Sequence, residues 1–431
     1  MFKKSKPLVA VLLVFVLCFT GVSTVFAAGD PIEGTETAPA QASITKLLQM
    51  PFGTAIPGAT FSFQVRPIEV NETAYNDVTP NMPPIGNDGV ISITYTGIET
   101  NMTSSAGVGT VSKESGNFLG NVAWTQPGHY VYEIEELDNT YNIVNAERER
   151  MDYSMAKYTL NIYVKESTTT PGTFYVFAIG AVIDEKDQNS LGEVGDKINP
   201  TPGSSNLVFT NTYVKTNGPT DPEKPDPVNE STLTIGKTVS GAYSSTLDYF
   251  DYSLTITTPA FVTKPAVYPA YIVEGTTIIG ATDLEDSSKN NVTVAGTDSN
   301  GNAYIEVKPG TALPFRLKDG QKLVFINTSV GTRYNITEAA AYGYTASATV
   351  TTNGTAVTIA GPGTPNTALV ITNQYIGETN NSVMFLNVRD DVTPGGVNLN
   401  NLPYIGLILL AFGAFVVFVA MKSRRRVSYN K

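Results

Sequence analysis

Three polar side chains recur in one order on strand faces that are otherwise apolar. Side chains alternate along an extended strand, so Ile44, Lys46 and Leu48 share a face, as do Leu233, Ile235, Lys237 and Val239. Further on, Tyr130, Tyr132, Ile134 and Glu136 form one face, and Tyr334, Ile336 and Glu338 repeat it. The peptide from Leu207 through Phe209 and Asn211 to Tyr213 returns as Leu369, Ile371, Asn373 and Tyr375. Each half of the chain therefore reads Lys, Glu, Asn, all pointing inward. Burial disfavours charge, so such a lysine can be a neutral nucleophile and such a glutamate can keep its proton. The amine could then attack the asparagine side-chain carbonyl. The glutamic acid would hydrogen-bond that oxygen and relay protons, and ammonia would leave. Taken singly, each lysine reads better as a buried hydrogen-bonded partner or a strand-end residue snorkelling to water. It is the ordered repetition that favours the covalent reading.

The elements that must position these groups are strands. The chain has 431 residues, a net charge of -11, 42% hydrophobic and 16% charged residues, enough for at least two cores. Period-two runs predict strands over Thr60 to Val65, Gly89 to Tyr95, His129 to Glu136, Tyr158 to Val164, Phe174 to Ile183 and Asn206 to Tyr213. A second set covers Tyr252 to Ile256, Ala303 to Val307, Leu323 to Asn327, Thr332 to Thr337, Tyr344 to Thr351, Ala356 to Ile359 and Ala368 to Tyr375. The expected fold class is all-β. A first sandwich covers residues 37–214 and a second covers 232–376, with the Pro-rich stretch 215–231 between them as a stiff, solvated linker. Trp124 is expected in the core or at its rim, Asp184 to Ser205 as a long polar loop, and Asp319 with Gly320 as a hairpin turn.

From the inward lysine through Gly128 to Glu136 to Phe209, Thr210 and Asn211, the first domain resembles the streptococcal pilin isopeptide linkage domain of Gram-positive surface proteins and pilins. The second, with Lys237, Thr238, Val239, Ser240 and Gly241, then Asp319, Gly320 and Gly331 to Glu338, resembles the related repeat of such proteins. The resemblance implies two tandem Ig-like or Cna-B-like β-sandwiches. It implies a Lys46–Asn211 isopeptide bond promoted by Glu136 and a Lys237–Asn373 bond promoted by Glu338. It also implies a structural subunit, of a pilus shaft or stalk. A wall- or membrane-anchored adhesin for a host or matrix ligand is the other function considered.

The ends of the chain fit that setting. Residues 1–27 read as a secretory signal, with Lys3, Lys4 and Lys6 ahead of an apolar run and cleavage after Ala27. Cys18, the only cysteine, would leave with it, so no disulfide is available and a different cross-link has a place. After a stalk over 377–401, residues 402–421 are an apolar run long enough for a transmembrane helix, and the basic tail 422–431 should stay cytoplasmic. Thr393, Pro394, Gly395 and Gly396 resemble a sortase sorting signal, with Gly395 where that family's threonine is expected. The expected partners are therefore sortase, peptidoglycan or other pilin subunits, and the membrane, with Lys197 and Lys215 as candidate polymerisation lysines. The expected location is extracellular, anchored to wall or membrane. With His129 the single histidine and no phosphate loop or metal-ligand pattern, the sequence points away from an enzyme, a cofactor and a metal. An acidic surface offers no footprint for nucleic acid.

Overall fold

The computed structural model describes residues 31–78, 81–218, 224–263, 265, 267–359, 361, 364–390 and 402–427. The signal segment with Ala27 and the motif Thr393 to Gly396 lie outside them. In the first half, strands Phe174–Glu185, Lys157–Glu166, Gly128–Glu136 and Ala59–Val70 lie side by side and antiparallel. The facing sheet is built on Thr45–Pro51, which pairs in parallel with Val208–Asn217 on one side and antiparallel with Val108–Glu114 on the other. Phe61, Phe63, Ile134 and Leu160 from one sheet meet Ile44, Leu48 and Phe209 from the other, all fully buried. The inward residues are those that strand alternation selects. Trp124 packs at the rim of this core, edge-on to Tyr130 with ring centroids 4.8 Å apart.

The second half repeats the plan. One sheet runs through Tyr268–Glu274, Gln321–Phe325, Leu233–Ser240, Ser382–Val388 and Thr345–Thr352, and the other through Leu313–Leu317, Phe250–Thr257, Arg333–Glu338 and Leu369–Tyr375. Its opening strand Leu233–Ser240 again pairs in parallel, but with Ser382–Val388, not with the strand that holds Asn373. The second domain thus extends through Val388, beyond the boundary at residue 376 read from sequence and into the segment assigned to a stalk. Asp319 and Gly320 do form a tight turn, in which Gln321 N–H donates to Lys318 O and Gly320 has a φ of 78°. It is no hairpin, since the flanking strands Leu313–Leu317 and Gln321–Phe325 belong to opposite sheets.

The junction between the domains is built, not merely spanned. Strand Val208–Asn217 runs on past the first core and pairs antiparallel with Thr328–Ser329 of the second domain. Glu378 Oε2 accepts from Lys215 Nζ at 2.6 Å, while its Oε1 accepts from the Ala55 N–H at 2.7 Å. Phe52 meets Tyr375 edge-on at 5.0 Å. Gly331 has a φ of 84°, and a Cβ there would stand 2.5 Å from the Pro51 ring, so glycine allows this approach. The supposed solvated linker also departs from expectation. Pro225 and Pro227 are buried, and Val228 packs on Tyr271, Val273, Val324 and Ile326, an apolar patch on the outer face of the second domain.

Beyond both domains, Leu402–Val427 is helical, and its described apolar side chains, such as Leu409 and Phe412, are exposed. Among the described residues no helix is long and apolar enough to cross a membrane.

Candidate functional site

Lys46 and Asn211 sit on neighbouring parallel strands, and Glu136 reaches them from the opposite sheet. The register sets Phe209 beside Lys46 and Asn211 beside Leu48. Lys46 Nζ donates to Glu136 Oε2 at 2.6 Å, and Asn211 Nδ2 donates to Glu136 Oε1 at 2.7 Å. One carboxyl group therefore holds both would-be reactants. Lys46 and Asn211 are 0% exposed and Glu136 8%, so water does not compete. The Tyr95 hydroxyl donates to the Lys46 carbonyl at 2.8 Å and fixes the strand from behind. Phe61 lies under the ammonium, 4.8 Å from centroid to Nζ.

Burial lowers the Lys46 pKa from 10.5 to about 8, against the opposing charge of Glu136. Burial raises that of Glu136 above 4.5, against Lys46, the Asn211 amide and the Ser154 N–H. Both shifts narrow the gap between amine and carboxyl, and so lower the cost of passing the proton from one to the other.

Glu136 meets the nitrogen of the asparagine amide, not the oxygen expected from sequence. The oxygen, Asn211 Oδ1, accepts instead from the backbone N–H of Ser154 at 2.8 Å. A backbone N–H can only donate, which fixes this orientation of the amide. A protonated Glu136 could therefore pass a proton to this nitrogen and not to the amide oxygen. Sequence reasoning had no access to Ser154, because its contact arises from chain geometry and not from residue type.

The second site has the same lysine and acid but a different asparagine. Lys237 Nζ donates to Glu338 Oε1 at 2.6 Å, and Asn387 Nδ2 donates to the same oxygen at 2.6 Å. All three residues are 1% exposed or less. Phe385 stands beside Lys237 and Asn387 beside Val239, the register of the first site repeated. Burial again lowers the lysine, to about 8, and raises the glutamate. Asn373, the asparagine expected from sequence, is exposed, and its Oδ1 accepts from Arg333 at 2.7 Å. The reason is a bulge. Between Tyr334 and Ile336 the pairing with Leu369–Tyr375 slips, and Asn373 takes a φ of 56°. Leu369 and Ile371 face inward as alternation requires, and the extra residue then turns Asn373 out. The available signal was Val383, Phe385 and Asn387, the same apolar, Phe, Asn face as Leu207, Phe209 and Asn211.

The two candidate polymerisation lysines lie apart from both sites. Lys215 is engaged at the domain junction with Glu378. Lys197 is exposed at the start of the short strand Lys197–Ile198, which pairs with strand Phe174–Glu185.

Comparison with known proteins adds to this geometry. Residues 42–214 match the Spy0128-like isopeptide containing domain, and residues 231–375 match a domain of unknown function. A pilin of Streptococcus pyogenes serotype M1 is 22% identical over 94% of this chain and 98% of its own. Among solved structures, the major pilin from Streptococcus pyogenes is 18% identical, covering 82% of this chain and 99% of its own with a TM-score of 0.30. A pilus-presented adhesin, Spy0125 (Cpa), is 13% identical over 55% of this chain and 36% of its own, with a TM-score of 0.22. The first domain thus matches the Spy0128-like isopeptide containing domain, and the chain is similar over nearly its whole length to a streptococcal pilin.

Proposed function

We propose that this chain is a pilus-shaft subunit whose two domains each weld their first strand to their last, through Lys46–Asn211 and Lys237–Asn387 amides. The observation that carries the reading is the duplicate buried constellation, in which a lysine and an asparagine on parallel first and last strands share one glutamate. Lysine nitrogen attacks the asparagine Cγ, a C–N bond forms, and the lysine's proton passes through the glutamate to the amide nitrogen. Ammonia leaves and the glutamate is regenerated. Each site turns over once, on itself.

The arrangement suits mechanical work. Tension applied at the chain ends falls on the opening and closing strands, and a bond between them carries it without shearing the ladder. If the chain-entropy relation for disulfides transfers, each closure also contributes about 5 kcal/mol by restricting the unfolded chain.

Export through the signal segment, retention by the apolar run 402–421 and sorting at Thr393 to Gly396 complete the reading. The sequence supports them, as does the kinship with pilins, which are cell-surface proteins. Polymerisation would use sortase and a lysine of the next subunit, with Lys197 and Lys215 as the candidates.

Intact mass tests the covalent step. The secreted protein should be lighter than its residues by two ammonias, with Glu136→Ala and Glu338→Ala each restoring one. A mass equal to the unmodified sum would end the reading. Boiled wall extracts should give a ladder of covalent multimers on immunoblots, whereas a single band would favour an adhesin or simple stalk.

A further inference from the structure

The first site holds a contact that the second lacks. Asn211 Oδ1 accepts from the Ser154 N–H at 2.8 Å, whereas Asn387 Oδ1 is buried with no hydrogen-bond partner among the described residues. Attack on an amide carbon moves negative charge onto its oxygen, and a fixed donor already aimed at that oxygen stabilises the charge without reorganising. Ser154 is in turn held by Asp187, from the polar loop that precedes the closing strand. Ser154 Oγ donates to Asp187 Oδ2 at 2.7 Å and accepts from the Ala156 N–H at 3.2 Å. The same carboxylate oxygen accepts from the Thr210 N–H at 2.8 Å, one residue before Asn211. Asp187 thus grips both the residue that bears the donor and the strand that bears the acceptor. Its other oxygen accepts from the Asn189 N–H at 2.9 Å and from the Ser190 hydroxyl at 3.4 Å, which anchors the carboxylate in its own loop.

Resting on the isopeptide reading above, we propose that the Ser154 N–H is the oxyanion donor for Lys46–Asn211 closure and that Asp187 is the residue that positions it. In the step itself, the C–N bond forms at Asn211 Cγ while the carbonyl π electrons move onto Oδ1. They return as the C–Nδ2 bond breaks and ammonia departs with the proton relayed by Glu136.

The electrostatics make the proposal discriminating. The Asp187 charge favours the protonated form of Lys46, and the Ser154 N–H favours the charged form of Glu136. Were those their only effects, removing either would release a neutral amine more readily and speed closure. A role at the oxyanion requires the opposite sign.

The test follows the full chain made in a cell-free pulse, quenched in denaturant at intervals, with the two cross-linked peptides quantified by mass spectrometry. Asp187→Ala and Ser154→Ala should slow the first closure about tenfold and leave the second unchanged. Ser154→Thr, which keeps the hydroxyl, should restore the rate. Replacing the residue at 154 by its α-hydroxy acid, which deletes only the N–H, should slow it by about a hundredfold, in the range seen for loss of one oxyanion donor. In Asp187→Ala the acid limb of the pH profile should move to lower pH, because the charge that favours protonated Lys46 is gone, while the plateau rate falls. Folding of each variant is checked by thermal melting on a Glu136→Ala background, where no first bond forms. First-site closure at the normal rate or faster in a folded Asp187→Ala chain and in the N–H deletion would overturn the proposal. Absence of both cross-links in the unaltered chain would instead overturn the isopeptide reading beneath it.

Discussion

In each domain one carboxyl group is hydrogen-bonded to both the buried lysine and the buried asparagine. At the second site the asparagine is Asn387, so Asn387→Ala should abolish the second ammonia loss and Asn373→Ala should leave it intact, both read by intact mass. The shifted lysine gives a further expectation. In Asn211→Ala the amine stays free, with a folded pKa near 8 against 10.5 unfolded. Between those values the unfolded chain holds a proton that the folded chain lacks, so stability rises with pH across that window and levels off above it. Glu136, raised above 4.5, acts in the opposite sense, and its contribution falls as pH climbs through its own lower window. Thermal melts of Asn211→Ala from pH 7 to 11, compared with the linked protein, should show the alkaline gain only in the variant, since closure removes the titrating amine. A flat difference curve would mean that Lys46 is not buried uncharged. Closure itself should slow at acid pH, where lysine and glutamate both keep their protons, as stopped-time mass measurements would show.

Strand pairing explains what could be read in advance and what could not. Lys46, Glu136 and Asn211 were legible because uninterrupted alternation carries them inward on three regular strands. Lys237 and Glu338 were legible for the same reason. Asn373 misled because one inserted residue reverses the faces of everything after it, and residue types around Asn335 do not announce a bulge. The Ser154 N–H and Asp187 were invisible, since a backbone donor and a loop carboxylate gain meaning only from what folds against them. The all-β class and both lysine strands agree with expectation, whereas the final strand Ser382–Val388 lay in a segment read as stalk. A chain ended at Ile376 should therefore lose the parallel partner of Leu233–Ser240, form no second bond and yield its second half to limited proteolysis. A chain ended at Asp390 should keep both bonds and resist. Equal resistance of the two would show that Ser382–Val388 is dispensable.

Across the whole molecule, the junction converts two modules into one unit. Glu378 ties the second domain to Lys215 and to the Ala55 N–H of the first, and Phe52 packs on Tyr375. A partly exposed ion pair contributes little to stability, so Glu378→Ala should lower the unfolding free energy by no more than about 1 kcal/mol. Combined with Phe52→Ala, it should nevertheless broaden the spread of interdomain distances seen by small-angle X-ray scattering. An unchanged spread would leave the continuous strand and the seated prolines as the whole of the connection. That strand, Val208–Asn217, bears Asn211 at one end and borders Thr328–Ser329 of the neighbouring domain at the other. A fibre assembled from such units would bend at the joints from one subunit to the next and stay straight within each, as a chain of rigid links does.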